Sequence, residues 1–328
     1  MQTFTGTEYL KIDLANQFGL DRLQWQERIH WTEDNENDLK DLAHTAKHPI
    51  LFRKALRAFK DTKAGYPTNH IMGLDATASG IQCMAAMSGC VLTAEAVNLT
   101  NTGQRKDLYT AVAEYMCTIP EIRVTRTIVK DPVMTFFYGS QAVPKQVFGA
   151  GARLRAFYTT LSERLPGATE LMHLFQSSWD STATYHQWTM PDKHVVRVPV
   201  IYTVEKEIEI DEQDHMRFTY RTSEVGPQLK GRSLAANITH SVDGWIAREM
   251  VKMAKTQGFY LAPIHDCFYA HPNYMNQVRM NYVDIISRMA RMPIVSHILS
   301  EIAGKNIPYK KHSYDLFHQI EESEYALS

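Results

Sequence analysis

Two aspartates in this chain each follow a short apolar run, and their carboxylates could hold metal ions. Asp75 comes after residues 71–74, and Asp266 comes after a run that ends at Ile264. Magnesium typically takes one or two protein carboxylates and completes its shell with water and phosphate oxygens. Two such ions would support phosphoryl transfer from a nucleoside triphosphate. For Asp75, capping of the following helix is an equally good interpretation.

A second segment supplies cations at helical spacing. Its side chains recur every four residues, as Arg126, Lys130, Met134 and Tyr138. On a helix they form one stripe, whose cations, apolar surface and tyrosine would meet a triphosphate, a base and a sugar in that order. The commoner alternative is a solvated basic face that continues into a core face. Pro132 predicts that the helix either kinks there or begins there, with Asp131 as its cap.

The surrounding pattern predicts the elements that must position these residues. Residues 71–74 and 259–264 are predicted strands, while residues 80–87 and 231–256 have helical spacing. Each aspartate therefore follows a strand.

Between the second segment and Asp266, a long hairpin is predicted over residues 195–220. Apolar residues alternate from Val195 to Ile210, residues 211–215 are typical of a turn, and the alternation then resumes up to Tyr220.

The composition is that of a soluble globular protein without a membrane partner. The 328 residues are 44% hydrophobic and 22% charged, with a formal net charge of −1. This charge argues against an all-over basic coat, although an enzyme of nucleic acids can keep its positive charge inside a cleft. The cysteines lack metal-ligand spacing, which predicts buried, reduced thiols and a cytoplasmic location. They are Cys83, Cys90, Cys117 and Cys267.

Three groups of residues then combine into a recognisable set. They are Asp75-x4-Gly80-Ile81-Gln82, Arg126-x3-Lys130-x-Pro132-Val133-Met134-Thr135-x2-Tyr138-Gly139, and His265-Asp266. In order and internal spacing they resemble motifs A, B and C of single-subunit DNA-directed RNA polymerases of the bacteriophage and mitochondrial type. Further matches, such as Asn237-x2-His240-Ser241-x-Asp243-Gly244, extend the resemblance over essentially the whole chain.

The resemblance implies an α+β fold of the right-hand polymerase type, with a palm built on a small antiparallel sheet. Residues 1–103 would form the first part of the palm, 104–239 the largely helical fingers, and 240–328 the second part of the palm with a C-terminal foot. The implied reaction is template-directed transfer of ribonucleoside monophosphates from NTPs to an RNA 3′-end, with release of pyrophosphate. The implied partners are a DNA template, nascent RNA and NTPs. Promoter reading is implied for the hairpin, and bracing of the fingers is the alternative.

Residue by residue, the resemblance implies two Mg²⁺ ions held by Asp75, Asp266 and the main-chain carbonyl of Ala76. Lys130 would act as the general acid for the departing pyrophosphate, and Arg126 would contact the triphosphate beside it. The other implied nucleotide contacts are Arg22, Tyr109, Met134, Tyr138 and His240.

Gly80 favours a ribonucleotide substrate. Related DNA polymerases place a glutamate at this position, where it crowds a ribose 2′-hydroxyl. The space beside Gly80, together with the polar group of Tyr138, suits a ribose instead. A template-dependent DNA polymerase and a catalytically silent nucleic-acid-binding subunit remain the alternatives.

The polymerases that this chain resembles also carry a thumb and an N-terminal domain. Some bacteriophages divide this type of enzyme between two polypeptides. We therefore expect a phage-encoded catalytic subunit in the host cytoplasm, whose second subunit supplies the thumb and N-terminal region.

Overall fold

The chain is mainly helical, and its strands form small antiparallel sheets. The structure is a computed structural model that describes residues 1–211, 215–228, 231 and 233–328. The α-helices are α1 (Gly6–Ala15), α2 (Trp25–Asp34), α3 (Leu39–Leu42), α4 (Pro49–Lys63), α5 (Ser79–Ser88), α6 (Val91–Ala96), α7 (Leu108–Cys117), α8 (Arg126–Phe137), α9 (Ala142–Phe148), α10 (Ala152–Arg164), α11 (Pro166–Ser177), α12 (Ser233–Thr256), α13 (Met275–Arg291), α14 (Ile294–Ala303) and α15 (Leu316–Glu321). The strands are β1 (Met72–Asp75), β2 (Tyr185–Thr189), β3 (Val195–Pro199), β4 (Ile201–Ile210), β5 (Met216–Val225), β6 (Leu261–Ile264) and β7 (Cys267–Ala270). This mixture is compatible with the predicted α+β class.

A three-stranded antiparallel sheet, in the order β1-β7-β6, carries both aspartates. Asp75 ends β1 and pairs with Cys267 at the start of β7. The two-residue turn His265-Asp266 joins β6 to β7, and His265 has a left-handed φ of 55°. Such a backbone is uncommon for a residue with a side chain and recurs at functional sites. The sheet therefore places Asp75, at the end of β1, beside Asp266, in the turn that leads into β7.

The hydrophobic core seals one face of this sheet. Leu74, Phe268 and Ala270 are buried there, because alternate side chains of a strand point to the same face. Helix α12 packs against β6, and α13 packs against β7. The backing holds the ends of β1 and β7 in place.

Helix α5, which follows Asp75, is buried along its whole length. Gln82 fixes its position, since its amide donates to the carbonyl oxygens of Val97 and Ala326, both at 2.9 Å. The Tyr282 hydroxyl donates to the Gln82 side-chain oxygen at 2.6 Å. A buried amide with all these partners ties α5 to α13 and to residues 325–328.

The predicted hairpin over 195–220 is corrected by the structure. Strand β3 pairs with β2, while β4 pairs with β5 from Ile201 opposite Val225 to Ile210 opposite Met216. The chain changes sheets at Val200, whose N–H donates to Thr184 and whose carbonyl accepts from Gly226. Residues 212–214 of the predicted turn lie outside the described residues.

Helix α8 settles the alternatives left open by Pro132. It begins at Arg126 and contains Pro132, which excludes the alternative that the helix begins at Pro132. Proline has no N–H to donate inside the helix. Close to it, the hydroxyl of Thr135 donates to the carbonyl of Asp131 at 2.7 Å.

All four cysteines carry free thiols. Cys83 and Cys90 are buried as predicted, whereas Cys117 and Cys267 are only half-buried. Among the described helices, none has the length and apolar character needed to cross a bilayer.

Candidate active site

A cavity of about 330 Å³ lies at the ends of β1 and α8 and collects nearly all the predicted site residues. The predicted residues that line it are Arg22, Asp75, Ala76, Tyr109, Arg126, Lys130, Met134, Tyr138 and Asp266. Gly80 lines it as well. His240 does not line the cavity, but its ring stacks on Tyr138 with 4.8 Å between centroids and 2° between planes.

Backbone hydrogen bonds fix the two aspartates. The N–H of Ala76 donates to the carbonyl of Asp266 at 3.1 Å, and the N–H of Ser328 donates to the carbonyl of Asp75 at 2.9 Å. The Asp75 carboxyl is accessible from the cavity, yet enough protein surrounds it that burial, with the negative charge of Asp266, raises its pKa to about 6. A divalent cation bound here would offset the negative charges of the two carboxylates.

The oxygens available at this point fit magnesium. Asp75 does not cap α5, because the N-cap position is Ala78, with a φ of 54° and no side-chain cap. The carbonyl of Ala76 accepts no backbone hydrogen bond from the described residues. Carboxylate and carbonyl oxygens are the ligands that hard divalent cations prefer.

Helix α8 presents its stripe to the cavity. The Nε of Arg126 donates to Asp107 at 2.5 Å, and its guanidinium lies 5.4 Å from the centroid of the Tyr109 ring. Lys130 is exposed and forms no ion pair with any described residue. Met134 is 41% exposed although it is apolar. All four side chains of the stripe therefore line one cavity. The alternative, a solvated basic face that continues into a core face, does not fit this arrangement.

Tyr138 occupies the space that Gly80 leaves open. A Cβ atom at Gly80 would lie 2.9 Å from the Tyr138 hydroxyl and 3.1 Å from Cγ2 of Thr239. Burial raises the pKa of Tyr138, and the negative charge of Asp243 adds to this effect, so the hydroxyl stays protonated at neutral pH. It can then donate a hydrogen bond into the cavity.

Sequence reasoning missed four charged residues in the lining, which are Asp21, Arg105, Lys106 and Asp107. Asp107 had a recognisable signal, because an aspartate directly before an apolar helical pattern is a typical N-cap. Its carboxylate accepts from the N–H groups of Tyr109 and Thr110 at 3.1 and 3.4 Å. Arg105 and Lys106 belong to a polar loop and had no such signal.

A further carboxyl group lies behind the cavity. The Cys83 thiol donates to Asp243 at 3.5 Å. Burial raises the pKa of Asp243 to about 7. Asp243 follows His240 by three residues on α12, so helical periodicity could have placed it on the same face.

Comparison with known proteins agrees with the predicted resemblance. Residues 2–148 match the family model described as DNA-dependent RNA polymerase. A probable DNA-directed RNA polymerase of Neurospora crassa is 24% identical over 82% of this chain and 38% of its own length. DNA-directed RNA polymerase 2, chloroplastic/mitochondrial, of Arabidopsis thaliana is 24% identical over 90% of this chain and 35% of its own length.

A third relative, the mitochondrial DNA-directed RNA polymerase of Schizosaccharomyces pombe, is 22% identical over 83% of this chain. The chain spans only 29–38% of the length of these three relatives. The family model spans Asp75 and α8 but not Asp266, whereas the matches to these three relatives cover 82–90% of this chain. The resemblance inferred from the motifs is thus confirmed as a similarity to DNA-directed RNA polymerases, at low sequence identity over most of the chain.

Proposed function

We propose that this chain is the catalytic portion of a DNA-directed RNA polymerase, a nucleotidyltransferase that extends RNA on a DNA template. The observation that carries the proposal is the convergence of Asp75, Asp266 and the α8 stripe on one cavity. The similarity to polymerases supports it, because residues from all three motifs line that cavity, namely Asp75, Gly80, Ile81, Arg126, Lys130, Met134, Tyr138 and Asp266. Neither paired carboxylates nor a cationic stripe alone would specify this reaction.

Asp75, Asp266 and the carbonyl of Ala76 are proposed to hold two Mg²⁺ ions. Bound there, the ions would activate the attacking hydroxyl and offset charge on the phosphates. Lys130 is free to give a proton to the departing pyrophosphate, since it has no carboxylate partner among the described residues. Arg126 keeps its terminal nitrogens for the triphosphate, because Asp107 engages its Nε.

The remaining contacts are proposed to select the nucleotide. The exposed surface of Met134 suits the flat face of a base. Tyr138, held by its stack on His240, would direct its hydroxyl toward the sugar. A site that donates to a 2′-hydroxyl also disfavours a substrate that lacks it.

The predicted domains fit this function. We assign the palm to residues 1–103 and 240–328, which contain β1, β6 and β7, and the fingers to residues 104–239. Because the relatives are much longer than this chain, we propose that a thumb and a template-holding region lie outside these 328 residues, on a second subunit. Co-purification from the native source without such a chain, and with full processive activity, would contradict the second subunit. Transcription of bacteriophage genes in a host cytoplasm remains a prediction of the sequence resemblance.

Primer extension tests the proposal directly. The chain is mixed with an RNA/DNA hybrid, Mg²⁺ and either ribonucleotides or deoxyribonucleotides, with and without candidate partner chains. We expect template-dependent extension with ribonucleotides, and its loss when the metal is chelated. Preferred use of deoxyribonucleotides would indicate a DNA polymerase. Tight binding of the hybrid without extension, under every one of these conditions, would indicate a silent binding subunit and overturn the proposal.

A further inference from the structure

Arg105 is a half-buried arginine whose guanidinium is only partly satisfied by the protein. Its Nε donates to the hydroxyl of Ser328 at 3.0 Å. With the described residues, it makes no other hydrogen bond and no ion pair. Neither of its terminal nitrogens is a buried atom without a hydrogen-bond partner. Both therefore remain accessible to solvent. Arg105 lines the cavity, and its two terminal nitrogens have no hydrogen-bond partner among the described residues.

Arg28 is a buried arginine with a structural role, and protein groups accept hydrogen bonds from its whole guanidinium. Its Nε donates to the carbonyl of Leu23 at 2.9 Å, its Nη1 to Asn16 at 3.1 Å, and its Nη2 to the carbonyl of Asp21 at 2.6 Å. Every nitrogen of Arg28 is therefore used by the protein. Arg105 uses one nitrogen, which leaves the fork of its guanidinium for a ligand.

The burial of Arg105 without a close counter-ion favours an anion at that fork. Burial lowers the pKa of Arg105, and the carboxylates of Asp21 and Asp107 oppose this effect from beyond ion-pair distance. Asp107 is already engaged by Arg126. A partly desolvated cation without a close counter-ion gains from a phosphate, which a guanidinium can bind through two parallel N–H groups.

The neighbouring Lys106 lacks this property. Its ammonium lies 3.7 Å from Glu95, and an ammonium offers no planar fork. The loop that carries both residues is tied down, because Asn98 accepts from the N–H of Lys106 at 2.7 Å and donates to its carbonyl at 2.9 Å. Together with the Ser328 contact, these bonds give Arg105 a defined position at the cavity wall.

We propose that Arg105 binds the phosphates of the incoming nucleoside triphosphate, as a contact additional to Arg22 and Arg126, and that it also retains inorganic pyrophosphate after addition. This inference rests on the proposed polymerase function and adds a residue that the motifs do not contain. The ligand chemistry is that of a condensed phosphate, in the substrate or in the product.

The test compares Arg105→Gln and Arg105→Lys with the wild-type chain in primer extension. Loss of charge-assisted hydrogen bonds should raise KM for the nucleotide about 10- to 100-fold in Arg105→Gln. The inhibition constant of pyrophosphate should rise in the same direction. Arg105→Lys should recover only part of both effects, because it restores the charge without the fork.

Arg123→Gln is the matched control, since Arg123 precedes α8 but does not line the cavity. Its KM for the nucleotide should stay at the wild-type value. Ser328→Ala removes the Nε contact alone and separates anchoring from ligand binding. If Arg105→Gln lowers the unfolding temperature but leaves both constants within twofold of wild type, Arg105 is a structural residue and the inference is wrong.

Direct binding separates this inference from the proposed function. Titration calorimetry with tripolyphosphate uses no template and no catalysis. Wild-type binding that weakens in Arg105→Gln would support the anion site even if no polymerase activity were found. Equal binding by both proteins would overturn it, and so would binding by neither.

Discussion

The hydroxyl of Tyr138 lies 2.9 Å from the position that a Cβ atom on Gly80 would occupy. The two residues are separated by the whole segment from α5 to α8, yet each defines the space available to the other. Tyr138 is kept in this place by its stack on His240. Because Gly80 has no side chain, the Tyr138 hydroxyl can occupy this position.

Gly80→Ala should push the Tyr138 ring away from this position. Because the nearest atom is the far end of one side chain, we expect the fold to survive and the proposed ribonucleotide addition to fall about tenfold in kcat/KM. The ratio of kcat/KM for ribo- to deoxyribonucleotides should fall as well. Gly151→Ala, at a glycine with open space around it, should leave both values unchanged. Unaltered selectivity in Gly80→Ala would show that the contact has no part in choosing the sugar.

Asp266→Asn should abolish nucleotide addition, with a loss of at least about 1,000-fold, because it removes a proposed metal ligand. Folding should be retained, since the backbone carbonyl of Asp266 still accepts from Ala76. Single-turnover extension and circular dichroism measure the two properties. Asp38→Asn, at an exposed aspartate far along the chain from the cavity, serves as the control. Wild-type turnover in Asp266→Asn would refute the metal assignment.

The raised pKa of Asp75 predicts a specific dependence on pH. In the metal-free protein its pKa is about 6, against an ordinary value of 3.8. The folded chain therefore binds this proton more tightly than the unfolded chain, so stability is greatest below about pH 4 for this group and is lost as the pH rises through about 6. Asp75→Asn should raise the unfolding temperature of the metal-free protein at pH 8 more than at pH 5.

Metal binding should show the opposite trend with pH. Because a proton competes for the Asp75 carboxylate, the affinity for Mg²⁺ should weaken as the pH falls through about 6. Calorimetric titration at several pH values measures this change. An affinity that is constant from pH 5 to 8 would place the bound ion elsewhere.

A buried ion pair offers a test of stability. Arg279 donates to Glu324 at 2.6 Å, and the two side chains are 1% and 7% exposed. Arg279→Ala leaves a buried carboxylate without its partner, which should cost about 3–5 kcal/mol in the free energy of unfolding. Arg57→Ala breaks the exposed pair with Asp61 and should cost less than about 1 kcal/mol. Urea denaturation distinguishes the two, and similar losses would contradict this account.

Local pattern was enough to locate the aspartates and the α8 stripe. An apolar run that ends in a carboxylate predicts a strand end, and a spacing of four predicts one helix face. Both signals depend only on residues that are close together in the sequence. The prediction of the Ala76 carbonyl as a ligand came from the resemblance, and its lack of a backbone partner among the described residues is compatible with it.

Two properties could not be predicted from local pattern: which strands pair with each other, and which polar side-chain atoms find a hydrogen-bond partner. Alternation along residues 195–210 identifies the two faces of the strands but not their partners, and β3 and β4 belong to different sheets. The interest of Arg105 depends on which of its nitrogens lack a partner. The one partner that the structure gives it is Ser328, which is 223 residues further along the chain and accepts from Nε.

The ladder between β1 and β7 has a consequence for how this chain can vary. Asp75 stands opposite Cys267, and Ala76 bonds to Asp266, so the separation of the two carboxylates is set within the sheet, by backbone hydrogen bonds between neighbouring strand ends. Between the end of β1 and the start of β6 at Leu261, the chain leaves the sheet and then returns to it. Segments in that excursion, such as the β4–β5 ribbon, can therefore gain or lose residues over evolution without moving one carboxylate relative to the other.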